Sequence, residues 1–208
     1  MSEKKKVLIV EDQALVRRYL ESTLEDSETY EVAFSIKNAD LADVYCQKNH
    51  IDIILMDVYT DLGANGLEAA ARIKKAMPRI KIIIITSLPE FSFITRAREI
   101  GVESFMYKED EKTSLISVMD RTMNGESVYP DKTPEVKLGL ASSYDFSERE
   151  LEVLRELTSG DTNEEIADKL CISTATVKTH IANLMNKTGF KTRTELAIKA
   201  RELGLVIL

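Results

Sequence analysis

Hydrophobic and polar positions change their period about three fifths of the way along the chain. Up to about residue 125, short apolar runs alternate with segments in which apolar residues recur at helical spacing. The apolar runs span residues 7–10, 31–36, 51–56, 81–85 and 104–107. The helical segments span residues 14–25, 39–48, 67–77, 91–100 and 111–124. Continuous apolar strands separated by helices predict a parallel sheet that is covered on both faces.

This alternation fits one α/β domain over residues 1–125. Five strands and five helices in a segment of that length predict a flavodoxin-like, doubly wound, five-stranded sheet with the strand order 2-1-3-4-5. In the first helical segment, one apolar stripe holds Leu15, Tyr19, Leu20 and Leu24, and we expect it to face the sheet.

The pattern after residue 125 predicts a linker and an all-α domain. Periodicity stops over residues 126–144, where Pro, Gly and Ser are frequent, and we interpret this segment as a linker. Residues 145–208 then predict four helices. Two of them open with capping boxes that start at Ser147 and Thr162. A third opens at Ser173 or Thr174 and ends at Gly189, and the fourth runs from about residue 192 to 203.

Composition adds few constraints. The basic start is followed by an apolar run that is too short for a signal peptide, and no later run could span a bilayer, so we expect a cytoplasmic protein without membrane contact. Cys46 and Cys171 stand far apart, which argues against a disulfide framework or a zinc site. The net charge of −7 speaks against nucleic acid as a partner, but residues 173–193 carry four cations and no acid.

Polar residues with related chemistry follow four of the predicted strands. Glu11 and Asp12 follow the first, Asp57 the third, Thr86 the fourth and Lys108 the fifth. Ligands of open α/β sheets bind at the carboxyl ends of the strands, so these side chains are expected to share one cleft. Clustered carboxylates favour a cation, and hard oxygen ligands suit Mg²⁺. One carboxylate can then act as a nucleophile and form an aspartyl-phosphate, and Asp57 is our candidate.

Each of these residues also has a simpler interpretation. Asp12 could cap the following helix, Asp57 and Thr86 could be ordinary loop residues, and Lys108 could be a solvated lysine. Their common position at one edge of the sheet is what favours a site.

Five short motifs resemble the receiver domain of bacterial response regulators. They are VLIVED at 7–12, ILMD at 54–57, GLEA at 66–69, IITS at 84–87 and FMYK at 105–108. The resemblance covers residues 5–125. It implies that Asp57 accepts a phosphoryl group from a sensor histidine kinase, with Mg²⁺ held by Glu11, Asp12, Asp57 and the backbone carbonyl of Tyr59. It also implies that Thr86 and Phe105 rearrange together on phosphorylation and that Lys108 contacts the phosphoryl group. Phe105 could equally be a plain core residue.

The segment after Asp57 departs from the receiver pattern. It is one residue longer than usual before Gly66, lacks the usual Met-Pro pair, and adds Asp61. A phosphorylation-independent DNA-binding regulator is therefore an alternative. A Mg²⁺-dependent phosphohydrolase with an aspartate nucleophile is a third hypothesis, but Tyr59 stands where such enzymes place a second aspartate.

The third helix of the C-terminal domain has two distinct faces. Val177, Ile181 and Leu184 form an apolar stripe, while the opposite face holds small and amide side chains flanked by Lys178 and Lys187. Small residues let a helix enter the major groove of DNA, where Asn and Lys can reach base edges. A capped helix and a short turn precede it, as in a helix-turn-helix, although an ordinary helical hairpin with a solvated face would show the same pattern.

Residues 146 to about 205 resemble the output domain of the LuxR/NarL class, also called NarL/FixJ. The most specific strings are NEEIA at 163–167 and TVKTH at 176–180. The resemblance implies a transcriptional regulator, not an enzyme, that binds promoter DNA as a homodimer, with RNA polymerase as a further candidate partner. Carried over by position, Lys178 and Thr179 would contact bases, while Thr162, Asn163, Thr174 and Lys187 would contact phosphates. Thr176 and Asn183 complete the candidate set.

Overall fold

A computed structural model of the chain describes residues 3–109 and 113–206. The chain divides into two compact units. The first comprises residues 1–87 and 92–131, and the second comprises residues 88–91 and 132–208. No helix among the described residues is both long and apolar enough to cross a membrane.

The first unit is built on a parallel sheet. Its strands, within the described part of the chain, are β1 (Lys5–Val10), β2 (Tyr30–Ile36), β3 (Ile53–Met56), β4 (Lys81–Thr86) and β5 (Ser104–Tyr107). They lie in the order β2-β1-β3-β4-β5, and every neighbouring pair is parallel. The doubly wound order predicted from the apolar runs is therefore confirmed. All four residues of β3 are buried, because helices cover both faces of the sheet.

Five helices of the described chain accompany this sheet. They are α1 (Ala14–Glu25), α2 (Ala42–Lys48), α3 (Gly66–Ala76), α4 (Ser92–Ile100) and α5 (Leu115–Met123). A 3₁₀ turn, Ala39–Leu41, precedes α2, where we predicted one continuous helix. The predicted start of the fifth helix at Glu111 lies outside the described residues.

The apolar stripe predicted for α1 is only half correct. Leu20 and Leu24 are buried in the core that α1 shares with the sheet and α5. Leu15 is 84% exposed and Tyr19 is 66% exposed, so both side chains point away from that core. The two pairs lie on different sides of the helix, and only one side can face the sheet.

The predicted linker over residues 126–144 contains ordered structure at both ends. Near its start, Val128 accepts a hydrogen bond at its carbonyl from the Phe105 amide (2.8 Å), and the Tyr129 hydroxyl donates to the Val102 carbonyl (2.7 Å). Near its end, Lys137–Leu138 pairs with Ala141–Ser142 as a short antiparallel hairpin. Leu138 and Ala141 are buried in the core of the second unit. Such brief strands carry too little periodicity to be detected from sequence.

The second unit contains the helices predicted for the C-terminal domain. Among the described residues these are α6 (Glu148–Thr158), α7 (Asn163–Leu170), α8 (Thr174–Thr188) and α9 (Arg193–Glu202). The capping boxes predicted at Ser147 and Thr162 are both formed. Ser173 caps α8, and Gly189 ends it with a φ of 78°. The four-helix prediction is confirmed.

Helices α7 and α8 form the two arms of a helix-turn-helix. Cys171 ends α7 in the left-handed conformation and begins the turn. Val177, Ile181 and Leu184 of α8 are buried in the core of the unit, as the apolar stripe predicts. The opposite face of α8 is consequently left to solvent.

Candidate functional site

The carboxyl ends of the strands bring the predicted acidic residues together. Backbone pairing continues one residue past the strands, since the Asp57 amide donates to the Val10 carbonyl (2.9 Å) and the Lys108 amide donates to the Thr86 carbonyl (2.9 Å). This aligns the first polar residue after each strand along one edge. Ligand atoms of Glu11, Asp12 and Asp57 all lie within 4.8 Å of one another. Glu11 and Asp57 are buried, and Asp12 is partly exposed.

Lys108 closes this cleft from the end of β5. Its Nζ lies 2.7 Å from Asp57 Oδ2 and 2.7 Å from Glu11 Oε2. The lysine side chain is only 8% exposed, so its charge is directed at the two carboxylates instead of at solvent. Asp57 Oδ1 accepts a further hydrogen bond from the Val58 amide (2.7 Å). The Asp57 carboxylate is thus held in a fixed orientation through both of its oxygens.

The charged groups of the cleft change one another's pKa values. Burial raises the pKa of Asp57 to about 6, and the Glu11 carboxylate adds to this, while Lys108 and the Val58 amide oppose it. Burial works to lower the pKa of Lys108, but Asp57 and Glu11 outweigh it, so that pKa lies above its ordinary value. Two carboxylates against one buried ammonium leave an excess of negative charge. The cleft therefore favours an additional cation.

The two predicted switch residues lie on neighbouring strands. Thr86 ends β4 and is fully buried, and Phe105 in β5 is 1% exposed. Phe105 pairs in register with Ile84, two residues before Thr86. Its ring also lies 5.3 Å from the Tyr107 ring and 6.3 Å from the Tyr129 ring. Phe105 is at present a core residue, which is the simpler of its two interpretations, and its movement on phosphorylation stays a prediction.

The lengthened segment after Asp57 folds as a hairpin that is held by hydrogen bonds of the Thr60 hydroxyl. Tyr59–Thr60 pairs with Ala64–Asn65 across a 3₁₀ turn formed by Asp61–Gly63. The Thr60 hydroxyl accepts from the Ala39 amide (2.9 Å) and donates to the Ala64 carbonyl (3.3 Å). The extra residue is therefore accommodated in the turn of a hydrogen-bonded hairpin. Tyr59 begins this hairpin, and its carbonyl as a metal ligand stays a prediction.

The outer face of α8 carries exposed DNA-binding candidates. Lys178, Thr179 and Asn183 are exposed there, as are Ala182 and Asn186. Thr174 is half-buried at the start of the helix. Side chains of this size and polarity leave room for a close approach to a groove.

Three other DNA-binding candidates, in addition to Asn163, make hydrogen bonds within the protein. The Thr162 hydroxyl exchanges hydrogen bonds with Glu165 in its capping box, and the Thr176 hydroxyl lies 2.8 Å from Ser173 Oγ. Lys187 donates to Glu150 Oε2 (2.7 Å) and to the Asp145 carbonyl (2.8 Å). Burial works to raise the pKa of Glu150, but hydrogen bonds from Lys187 and Ser147 outweigh it and hold that pKa below its usual value. Lys187 therefore joins α8 to the start of α6, a role that the sequence did not indicate.

The structure adds one residue to the candidate interface. Arg193, the first residue of α9, contacts Asn163 and the turn that precedes α7. The sequence placed Arg193 in the acid-free stripe but assigned it no role, because the two positions are thirty residues apart.

Comparison with known families matches both units. Residues 7–120 match the response regulator receiver domain, and residues 145–200 match the luxR family of bacterial regulatory proteins. The receiver match covers more than half of the chain.

Individual proteins align over nearly the whole chain. The response regulator protein VraR of Staphylococcus epidermidis is 34% identical, over 97% of this chain and 98% of VraR. The transcriptional regulatory protein LnrK of Bacillus subtilis is 28% identical, over 97% and 99% of the two chains. A solved structure of two RcsB dimers bound to two parallel DNAs has a TM-score of 0.64 at 20% identity, covering 97% of this chain and 100% of that chain, and this likeness concerns the fold.

These matches name regulators and not enzymes, so the phosphohydrolase hypothesis is not supported. Response regulators work with sensor kinases and bind DNA, and phosphorylation of the receiver is the normal means of switching them. The chain therefore belongs to the two-component response regulators, and it is a DNA-binding transcriptional regulator in which a receiver domain precedes a luxR-type helix-turn-helix domain.

Proposed function

We propose that Asp57 is the phosphoryl acceptor and that its phosphorylation by a sensor histidine kinase controls DNA binding. The contact of Lys108 with both Asp57 and Glu11 carries the proposal, because it places an acceptor oxygen, a second acid and a buried cation in one cleft. In the transfer, an Asp57 oxygen forms a bond to phosphorus. The bond between phosphorus and the donor's histidine nitrogen breaks, and that nitrogen retains the electron pair.

The donor set fits Mg²⁺. Three carboxylates whose oxygens lie close together at the surface of a cleft offer hard ligands on one side and leave the other side to water and phosphate oxygens. Glu11, Asp12, Asp57 and the Tyr59 carbonyl would hold the ion, which would neutralise charge on the transferred group. Of the three carboxylates, Asp12 has the freest access to solvent.

Lys108 and Thr86 would then stabilise the phosphoryl group. Lys108 already points its ammonium at Asp57, so a phosphoryl group on that residue meets a cation without a large movement of the chain. Thr86 is buried at the end of the adjacent strand and supplies a hydroxyl. A shift of Thr86 toward the phosphoryl group would disturb the packing around Phe105.

The exposed face of α8 would enter the major groove. Lys178 and Thr179 would contact bases, assisted by Asn183, and Asn163, Thr174 and Thr162 would contact phosphates. Thr162, Thr176 and Lys187 carry less weight, because their polar groups are engaged within the protein.

Two copies of the chain would bind together on promoter DNA. Pairing of two weak half-site binders raises affinity through their effective concentration, and RcsB has been solved as dimers on DNA. RNA polymerase is a further partner to be tested by its recruitment to the same promoter.

Phosphorylation-independent regulation is the second candidate, and the lengthened segment after Asp57 favours it. Incubation of the full chain with a small phosphodonor and Mg²⁺, followed by intact mass measurement, separates the two. We expect the mass of one phosphoryl group to be gained by the unmodified protein and by an Asp61→Ala control, and not by Asp57→Ala. An equal gain in Asp57→Ala, or no gain in any of the three, would overturn the assignment of Asp57.

DNA binding is tested by Lys178→Ala. We expect a loss of about fivefold to 150-fold in affinity for a promoter fragment, since a base contact discriminates by about 1–3 kcal/mol. The matched control is Lys75→Ala, which removes an exposed lysine from α3 of the receiver. Equal affinity of Lys178→Ala and the unmodified protein would exclude the base contact.

A further inference from the structure

The guanidinium of Arg193 bridges two acceptors at the start of α7. Its Nη1 donates to Asn163 Oδ1 (3.1 Å), and its Nη2 donates to the backbone carbonyl of Asp161 (2.7 Å). Asn163 is the first residue of α7, and Arg193 is the first residue of α9. The planar fork of an arginine suits such a pair of acceptors, whereas a lysine offers a single point charge.

This contact determines which end of the Asn163 amide is available to a ligand. A guanidinium has donors and no acceptor, so the amide must turn its oxygen toward Arg193. The NH₂ group of Asn163 is then left to face away from Arg193. Phosphate oxygens only accept hydrogen bonds, and they therefore match the end of the amide that Arg193 leaves available. An amide without this contact could turn over and present its oxygen instead.

On one side, Asn163 faces a cationic groove that belongs to the candidate DNA-binding face. Asn163 and Arg193 line a groove that also includes Lys178 of α8 and Lys191 of the turn before α9. On its other side, Asn163 lines a second groove with Asp161 and Glu164, and the Asp161 carboxylate there is paired with Lys169 (2.6 Å). A DNA backbone lying along the cationic groove would meet the Asn163 amide beside Lys178.

We propose that Arg193 is a positioning residue for recognition of the DNA backbone, which acts by holding the Asn163 amide with its NH₂ group toward a phosphate. The proposal rests on the proposed DNA-binding function of the face formed by α7 and α8. Arg193 itself does not need to contact the DNA.

The test measures binding of the full chain to a mixed-sequence DNA duplex, because phosphate contacts contribute at every sequence. Arg193→Lys keeps the positive charge but loses the guanidinium that donates to two acceptors at once. Asn163→Ala removes the side-chain amide. We expect each variant to lower affinity by about fivefold to tenfold, as for the loss of one hydrogen bond. The double variant is expected to bind no more weakly than Asn163→Ala, because Arg193 acts through Asn163.

Two further readouts separate positioning from other roles. The slope of log affinity against log salt should be the same in Arg193→Gln as in the unmodified protein, because Arg193 makes no phosphate contact of its own; a direct contact between Arg193 and a phosphate would lower that slope by about one. Thermal unfolding identifies a variant that is merely unstable. Should Arg193→Lys unfold, Asn163→Ala still tests the proposal, because it leaves Arg193 in place and must weaken binding.

Several outcomes would overturn the proposal. Unchanged affinity of Arg193→Lys or of Asn163→Ala would exclude it, and so would losses that multiply in the double variant. Lys178→Ala distinguishes this failure from a failure of the proposed function. If Lys178→Ala weakens binding and the other two do not, only the role of Arg193 is wrong; if none of the three does, the DNA-binding face itself is wrong.

Discussion

A Cβ atom on Gly66 would lie 1.9 Å from the backbone oxygen of Asp57. The start of α3 thus passes directly against the backbone of the candidate phosphoryl acceptor. The Gly66 amide also donates to the Val58 carbonyl (2.7 Å), which holds the two segments together. Asn65 caps the helix at this point through the amides of Leu67 and Glu68. The GLEA motif therefore begins with glycine for a steric reason.

We predict that Gly66→Ala destabilises the receiver and impairs phosphorylation of Asp57. A clash with rigid backbone costs about 1–3 kcal/mol of unfolding free energy, and its relief must move either α3 or Asp57. Thermal unfolding measures the first effect, and phosphodonor labelling followed by mass measurement detects the second. Lys75→Ala, on the exposed side of the same helix, should leave both unchanged. A Gly66→Ala protein as stable as the unmodified one would contradict the steric argument.

Leu62 occupies a strained position in the lengthened segment. Its φ is 63°, and its side chain is 98% exposed, so left-handed backbone is adopted without compensating burial. That conformation costs an L-residue about 1–2 kcal/mol, and asparagine tolerates it better than most residues. We expect Leu62→Asn to raise the melting temperature of the receiver.

Leu62→Val provides the matched comparison, because a β-branched residue is still less suited to this conformation. We expect it to lower the melting temperature. If both substitutions shift the melting temperature in the same direction, backbone strain at this position is not the cause.

The pairing of Lys187 with Glu150 predicts a pH-dependent stability. Because the folded-state pKa of Glu150 is lowered, its contribution is present above the ordinary glutamate pKa and is lost as the pH falls through the lowered value. Lys187→Ala should lower the unfolding free energy of the C-terminal unit by about 1–3 kcal/mol at neutral pH, as expected for hydrogen bonds to a charged group.

Urea unfolding curves from neutral pH down to about pH 3 would measure this effect. The difference between Lys187→Ala and the unmodified protein should shrink as the pH falls through the lowered pKa of Glu150 and its carboxylate becomes protonated. Lys191→Ala, which removes an exposed lysine nearby, should show no such pH dependence. A difference that stays constant over the whole range would contradict the role given to Glu150.

The hairpin formed by residues 137–142 contacts the end of α8. A Cβ on Gly139 would lie 2.2 Å from the Thr188 carbonyl oxygen, which accepts a hydrogen bond from the Leu140 amide (2.9 Å). We expect Gly139→Ala to speed hydrogen exchange of the Leu140 amide. Gly160→Ala has a similar positive φ but open space around it, and it should leave that amide protected.

The grouping of acidic residues and Lys108 at the strand ends could be predicted from sequence because its determinants are local. Each apolar run ends abruptly at a polar residue, and parallel pairing aligns those ends at one edge of the sheet. Asp57 and Lys108 are brought together by that rule alone, although they are 51 positions apart. The caps at Ser147 and Thr162 were likewise predictable, since each involves residues only three positions apart.

Features that depend on one particular tertiary neighbour could not be predicted. The apolar spacing in α1 is compatible with two sides of the helix, and only the position of the sheet decides that Leu20 is buried and Tyr19 is not. Asn163 could be assigned to the DNA-binding face from its motif, but its contact with Arg193 depends on how α9 packs. Lys187 looked like a phosphate ligand because Glu150 is far away along the chain.

The hairpin at residues 137–142 also affects where the DNA-binding domain can be joined to another protein. The luxR family match begins at residue 145, yet the last turn of α8 is capped by residues that precede it. A gene fusion joined at residue 145 would separate α8 from the hairpin that caps it. A junction near residue 132 would transfer the helix and the hairpin together. The segment that must be transferred for DNA binding is therefore longer than residues 145–200, which match the luxR family. Chimaeras joined near residue 132 should retain the native end of α8.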